Sequence, residues 1–247
     1  MKNNLKNNLP ILNLYKKKSL KSGVDTQLLY GDNFKIIKKY KNWRKIKIKK
    51  DGYTGYIKKN KFSNYIRPDF KVCVLKAKLF KGPSVRKVTK KFLPYGSTVK
   101  IKEKKGKFVK FEEAWLKISD LKKINFKHKN IFKNITFFKN VKYLWGGKSF
   151  KGIDCSALVQ IFFNANNKYC PRDSKDQEKY FKKKVKMINL QKNDLLFWKG
   201  HVAIALSRNK LIHAYGPMKK VVVMDINKTI ERIRRTANLN VTSIRRI

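Results

Sequence analysis

The chain has 247 residues, enough for one large domain or two to three small ones. Its hydrophobic content of 42% and aromatic content of 13% supply packed cores and exclude global disorder. The formal net charge of +48, from 63 basic and 15 acidic residues, raises the question of a polyanionic partner.

The basic residues run along the whole chain and are overwhelmingly Lys, a point charge poorly suited to bidentate readout of bases. Asn and Ile are over-used beside them, as in AT-rich coding sequence. The charge is therefore read as compositional bias, and a nucleic-acid partner is not expected. The first twenty residues, MKNNLKNNLPILNLYKKKSL, hold no apolar run of the length a signal peptide or membrane helix requires. No membrane segment is expected, and a cytoplasmic setting is. Three cysteines, Cys73, Cys155 and Cys170, make an odd number at spacings that match no metal knuckle. Free thiols are expected, with no metal and no cofactor.

In chain order, two segments echo each other. LLYGDNFKIIKKYKNWRKIKIKKDGYTGYIKKNKF runs from Leu28 to Phe62, and FLPYGSTVKIKEKKGKFVKFEEAWLKISDL from Phe92 to Leu121. Each places Tyr-Gly ahead of an alternating strand (Phe34 and Ile36; Val99 and Ile101). Each continues through a basic turn into a second strand (Trp43, Ile46 and Ile48; Phe108, Val109 and Phe111). Period-two alternation with turn signals at short intervals predicts small β-barrels. The segments look like bacterial SH3-type modules, two of them, over 1–66 and 67–127.

Beyond residue 128 the pattern changes. CSALVQIFFNANN predicts a helix from Cys155, buried on nearly every side, capped by Asp154 and ended at Asn166-Asn167. A basic helical stretch follows around Ser174 to Lys184. Strands are then expected at Asp194–Trp198, His201–Leu206, Leu211–Tyr215 and Val221–Asp225, an α+β arrangement.

Cys155 falls in the first turn of the buried helix, where the helix field is expected to lower a thiol pKa. Two of the three histidines, His201 and His213, lie on the strands that follow. His201, Ala203 and Ala205 share one face, and their small neighbours are expected to leave room for the helix that carries Cys155. A two-residue loop at Arg208-Asn209 would turn His213 away from His201. A three-residue loop or a bulge would bring it to the same face. The sequence admits both.

The motifs YLWGG, GIDCSALVQ, PRDSKDQ, NDLLFWKGHVAIAL and LIHA occur in this order. With them, residues 128–247 resemble the NlpC/P60 family of papain-like cell-wall peptidases. The resemblance implies an α+β papain-like catalytic domain preceded by the two all-β SH3-like barrels. It implies Cys155 as nucleophile, His201 as base and then acid, and His213 as the third polar residue. Tyr143 is implied as a hydroxyl beside the oxyanion, with the Cys155 backbone N–H. Trp145 is read as packing, and the glycines of YLWGG as the tight approach to the helix. Asn193 stands where the family usually has Gly, a position where Asn tolerates a left-handed backbone.

The modular order looks like the γ-D-glutamyl-L-diamino acid endopeptidases, the dipeptidyl-peptidase VI-like subgroup. That resemblance implies free peptidoglycan-derived peptides carrying L-Ala-γ-D-Glu as substrate, meso-diaminopimelate as the diamino acid, and cell-wall recycling as the role. A substrate ammonium needs an acidic partner. Asp154 is one candidate, with Asp32 and Tyr53 from the first module as others. Asp173 and Ser174 match positions that contact substrate, and Arg172 would either neutralise a substrate carboxylate or pair with Asp173. A monomer is expected. Two other readings stand beside this one: an envelope-bound or periplasmic hydrolase of intact wall, and a non-catalytic basic binding protein.

Overall fold

A computed structural model describes residues 4–247. The chain falls into two compact units. The first holds the chain up to Lys127 with Lys148–Phe150 and Ala165–Asn167, and the second holds the remainder.

In the first unit, β1 (Asn4–Lys6), β2 (Ile11–Tyr15), β3 (Val24–Leu29), β4 (Asn33–Lys39), β5 (Trp43–Ile48), β6 (Thr54–Lys58) and β7 (Ser63–Asn64) form one antiparallel sheet. Its order is β3-β2-β6-β5-β4-β1-β7. The alternating residues Phe34, Ile46, Ile48 and Ile57 point into one core with Leu14 and Leu28, as period two requires. There follow β8 (Phe70–Val72), β9 (Lys76–Phe80), β10 (Val88–Pro94), β11 (Thr98–Val99), β12 (Glu103–Lys105), β13 (Phe108–Phe111), β14 (Ala114–Lys117) and β15 (Leu121–Lys123). These make a five-stranded sheet, β10-β9-β14-β13-β12, and a three-stranded one, β11-β8-β15, around a second core.

The repeated Tyr-Gly has a shared geometry. Asp32 N donates to Leu29 O and Ser97 N donates to Pro94 O, while Gly31 and Gly96 have φ of 85° and 84°. A positive φ at the third residue of such a turn calls for glycine. Gly31 carries a further demand, because a Cβ there would lie 2.2 Å from Thr98 O. Tyr30 beside it packs into the second core and meets Phe111 edge-on at 5.4 Å. The strand β16 (Lys148–Ser149) belongs to this unit, where Lys148 N donates to Gln27 Oε1 at 2.8 Å.

In the second unit, β17 (Gly152–Ile153) leads into α1 (Cys155–Ala165), and α2 (Ser174–Tyr180) follows. Then come β18 (Lys183–Lys184), β19 (Leu195–Trp198), β20 (His201–Ala205), β21 (Lys210–Tyr215) and β22 (Lys220–Asp225), with α3 (Ile226–Ala237) and β23 (Ser243–Arg246) closing the chain. The sheet order is β18-β23-β19-β20-β21-β22. Every residue of α1 from Cys155 to Phe163 is buried, and Asn167 ends the run in a left-handed conformation (φ 56°).

Two expectations are corrected, and two elements are added. The basic stretch after Ser174 stays helical only to Tyr180: Phe181 turns extended, buries its ring, and β18 begins where a continuous Lys run would repel itself along a helix. The small residues beside His201 make room for α3, because Ala203 and Ala205 pack in one cluster with its Ile226 and Ile233. Finally, α3 and β23 went unread, and β23 inserts between β18 and β19.

Candidate active site

The approach to α1 is a loop folded onto itself. A Cβ on Gly147 would lie 2.5 Å from Gly152 O, and one on Gly152 would lie 2.4 Å from Leu144 Cβ. Only glycine fits at either place. Gly146 (φ 72°) then donates its N–H to Asp154 Oδ2 at 2.9 Å. Asp154 caps α1, accepting from Ala157 N at 2.8 Å through Oδ1. Arg172 lays its two terminal nitrogens on the same carboxylate at 3.0 and 2.6 Å, and reaches Ser156 Oγ at 2.9 Å. Ser156 Oγ donates to Asp154 Oδ1 as well.

Asp154 therefore serves as helix cap and Arg172 partner, roles compatible with the expected contact to a substrate ammonium. Arg172 pairs with Asp154. Gln177 Nε2 donates to Ser156 O and to Pro171 O, each at 2.9 Å, tying α2 to the first turn of α1.

Cys155 opens α1 and is 7% exposed. Burial pushes its thiol up from 9.0 to about 12, and the Asp154 charge adds to the rise. Hydrogen bonds from the backbone of Val202 and Ser156 and the charge of Arg172 oppose it without prevailing. The helix field thus does not decide the resting state: the thiol is neutral at pH 7. Burial wins because a thiolate loses more hydration there than one helix end returns.

The Val202 contact brings the thiol against the residue that follows His201. His201 begins β20 after a hairpin turn at Lys199-Gly200, where Gly200 has φ 77°, and it pairs with Trp198. Leu206 N donates to Lys210 O at 2.8 Å, so the next loop is the three residues Ser207 to Asn209. The resulting register, Ile204 opposite Ile212, extends to put His213 across from Ala203 on the face of His201. His201 Nε2 and His213 Nδ1 are 2.8 Å apart. Burial holds His201 down at about 4, and burial with the His201 neighbour holds His213 well below 6.5. Both imidazoles are neutral at pH 7. With Nε2 engaged by His213, Nδ1 is the His201 nitrogen available for a thiol proton.

Tyr143 is bridged to Ile153 and donates its backbone N–H to Lys219 O. Burial first, then the charges of Cys155 and Asp154, raise its phenol to about 12, so it remains protonated and able to donate a hydrogen bond. Asp173 is exposed at the N-cap of α2, and Ser174 is its first residue. Asp32 and Tyr53 lie in the first unit. Asp32 accepts from Leu29 N at 2.7 Å and pairs with Lys50 at 3.4 Å, a turn residue's part. Tyr53 packs on the first core. Trp145, expected in packing, is 69% exposed.

Sequence reasoning missed Ser156, Gln177, Tyr215 and Met224. Tyr215 stacks on His213 at 4.7 Å and 10°, and its place two residues along the same strand was a readable signal. Met224 required the β21–β22 register, which a sequence does not print.

A buried cysteine at a helix start and a histidine pair whose rings are joined are the groups that a thiol hydrolase site uses. Residues 140–237 match the NlpC/P60 family, and residues 14–62 match the bacterial dipeptidyl-peptidase SH3 domain. Residues 140–237 are thus similar to the NlpC/P60 family of cysteine peptidases, and the N-terminal match is to an SH3-like domain. The chain is similar to the gamma-D-glutamyl-L-lysine dipeptidyl-peptidase of Bacillus subtilis (strain 168), 26% identical over 233 residues, which cover 84% of this chain and 77% of that protein. It is also similar to dipeptidyl-peptidase 6 of Lysinibacillus sphaericus, 31% identical over 115 residues, 47% of this chain and 42% of that protein. Among solved structures, an NlpC/P60 family protein from Bacillus cereus ATCC 10987 shares the fold, with a TM-score of 0.81 over 98% of this chain and 99% of that one at 20% identity.

Proposed function

We propose that the protein is a cysteine endopeptidase that cuts the bond between γ-D-glutamate and the diamino acid of free L-Ala-γ-D-Glu peptides, in cell-wall recycling. The observation that carries this reading is the 2.8 Å link between His201 Nε2 and His213 Nδ1, beside a thiol held at the backbone of Val202. The name of the Bacillus subtilis relative, a gamma-D-glutamyl-L-lysine dipeptidyl-peptidase, supports the same bond. Because that name specifies L-lysine, the diamino acid is either meso-diaminopimelate or L-lysine.

In the reaction, His201 Nδ1 takes the Cys155 proton as the sulfur adds to the γ-carbonyl carbon of D-glutamate. The Tyr143 hydroxyl and the Cys155 N–H meet the oxyanion. Collapse expels the diamino acid's amine, which takes the proton back from His201, and leaves a thioester. Water, deprotonated by His201, then attacks the thioester, and the thiol is restored as L-Ala-D-Glu departs. A resting neutral pair suits this sequence, since the proton moves as the sulfur attacks.

Asp173 and Ser174 remain the proposed substrate contacts, and Asp173 supports that role as an exposed carboxylate at a turn fastened to α1 through Gln177. The proposed division is 1–66 and 67–127 as two SH3-like modules, then 128–247 as the catalytic domain. The turn shared by Gly31 and Gly96 supports the second module. A cytoplasmic monomer completes the reading. The test is release of L-Ala-D-Glu from a defined peptide by wild type and not by Cys155→Ala.

A further inference from the structure

His213 has two ring neighbours, and each constrains its proton. Nδ1 lies 2.8 Å from His201 Nε2, and Nε2 lies 3.5 Å from the sulfur of Met224. Strands β21 and β22 pair His213 with Val222 and Leu211 with Met224. Met224 therefore sits on the same face as His213, one diagonal step along the partner strand.

A thioether sulfur accepts a hydrogen bond and never donates one. A neutral imidazole carries a single N–H. With that hydrogen on Nε2, His213 donates to the sulfur and presents the Nδ1 lone pair to His201. With it on Nδ1, the Nε2 lone pair would face the sulfur lone pairs with no hydrogen between them, in a buried place where lost hydrogen bonds are costly. Once His213 presents a lone pair, His201 must carry its hydrogen on Nε2, and its Nδ1 is left bare. Tyr215, stacked on His213 at 4.7 Å, keeps the ring in the plane that points Nε2 at the sulfur.

We propose that Met224 is a positioning residue: its thioether sulfur selects the Nε2–H form of His213 and, through it, the form of His201 whose Nδ1 takes the Cys155 proton. This rests on the peptidase reading of the site. A carboxylate at this place would select the same form but would add a buried negative charge that draws a second proton onto the ring pair. The sulfur does it without charge, in keeping with two imidazoles that are neutral at pH 7.

The experiment uses the full chain with isotopically labelled histidine, of which there are three, in wild type, Met224→Leu and Met224→Gln. Nitrogen NMR reads which ring nitrogen of His213 is protonated, and thermal unfolding checks that each variant is folded. Leucine keeps the apolar volume and has no acceptor, while glutamine restores an acceptor oxygen. The expected result is an Nε2–H His213 in wild type, a mixture in Met224→Leu with kcat lower by about tenfold at unchanged KM, and recovery of both in Met224→Gln. A Met224 that only packs would reverse the order, with leucine active and glutamine impaired. That order, or an Nδ1–H His213 in wild type, overturns the proposal. A wild type that shows the Nε2–H form and its loss in Met224→Leu, yet cuts no peptide, upholds the tautomer assignment and removes the peptidase reading instead.

Discussion

Arg172 and Asp154 form a bidentate ion pair at 3.0 and 2.6 Å, both side chains buried, one residue away from the thiol of Cys155. The pair joins the turn before α2 to the cap of α1.

Removing one member of a buried pair strands the other, at a cost of about 3–5 kcal/mol. Arg172→Met is expected to lose stability on that scale in urea unfolding. Asp154→Asn, which keeps a cap acceptor, should lose less. An Arg172→Met protein of unchanged stability with weakened substrate binding would return the pair to substrate recognition.

The thiol of Cys155 is expected to stay neutral through pH 7 and to ionise toward pH 12. Its pKa is raised on folding, so its contribution to stability is present below 9.0 and is lost as pH rises from there toward 12. Thiolate absorbance near the ultraviolet edge, compared between wild type and Cys155→Ala, reads this directly. A thiolate already present at pH 7 would mean a resting ion pair with His201.

His201 shifts the opposite way. Its folded pKa of about 4 lies below 6.5, so protons bind the unfolded chain preferentially between those values. Stability contributed by the neutral ring is present above pH 6.5 and drains away as pH falls toward 4. Unfolding free energies at pH 7 and 4.5 should differ more in wild type than in His201→Gln. Activity should persist below the ordinary histidine range; an acid limb centred at pH 6.5 would refute the burial argument.

The glycines of the approach loop differ in what they tolerate. Gly147→Ala and Gly152→Ala put a methyl 2.5 Å from Gly152 O and 2.4 Å from Leu144 Cβ, and each should lower the melting temperature and the activity together. Gly216→Ala, whose Cβ would meet the Tyr143 ring at 3.6 Å, should leave the melting temperature near wild type. Equal effects at all three would show that the loop relaxes.

Local signals carried much of this site. The Asp154 cap, the apolar run of α1, its Asn167 stop and the left-handed Asn193 (φ 75°) each depend on neighbours within a few residues, and each was legible. The His201–His213 contact was readable up to one ambiguity, the length of a single loop, which only the observed register removed. The partner of Arg172 lay 18 residues away and the Met224 sulfur one strand over, beyond any local pattern. The missed α3 was readable after all: Asp225 caps it through Lys228 N, Ile226, Ile230 and Ile233 line its packed face, and Asn238 ends it at φ 53°. The thiol's resting state was misjudged because the depth of burial, which decides it, belongs to the packed fold and not to the helix.

The most direct test of the peptidase is mass spectrometry of L-Ala-γ-D-Glu-meso-diaminopimelate and its L-lysine counterpart, each with a free or an acetylated N-terminus, incubated with wild type and Cys155→Ala. The account predicts release of L-Ala-D-Glu by wild type alone, and from free-amine peptides only. Cleavage of acetylated peptides as well would keep the enzyme but contradict recognition of a free amine and favour a hydrolase of intact wall. No cleavage of any peptide by folded, reduced protein would contradict the central claim.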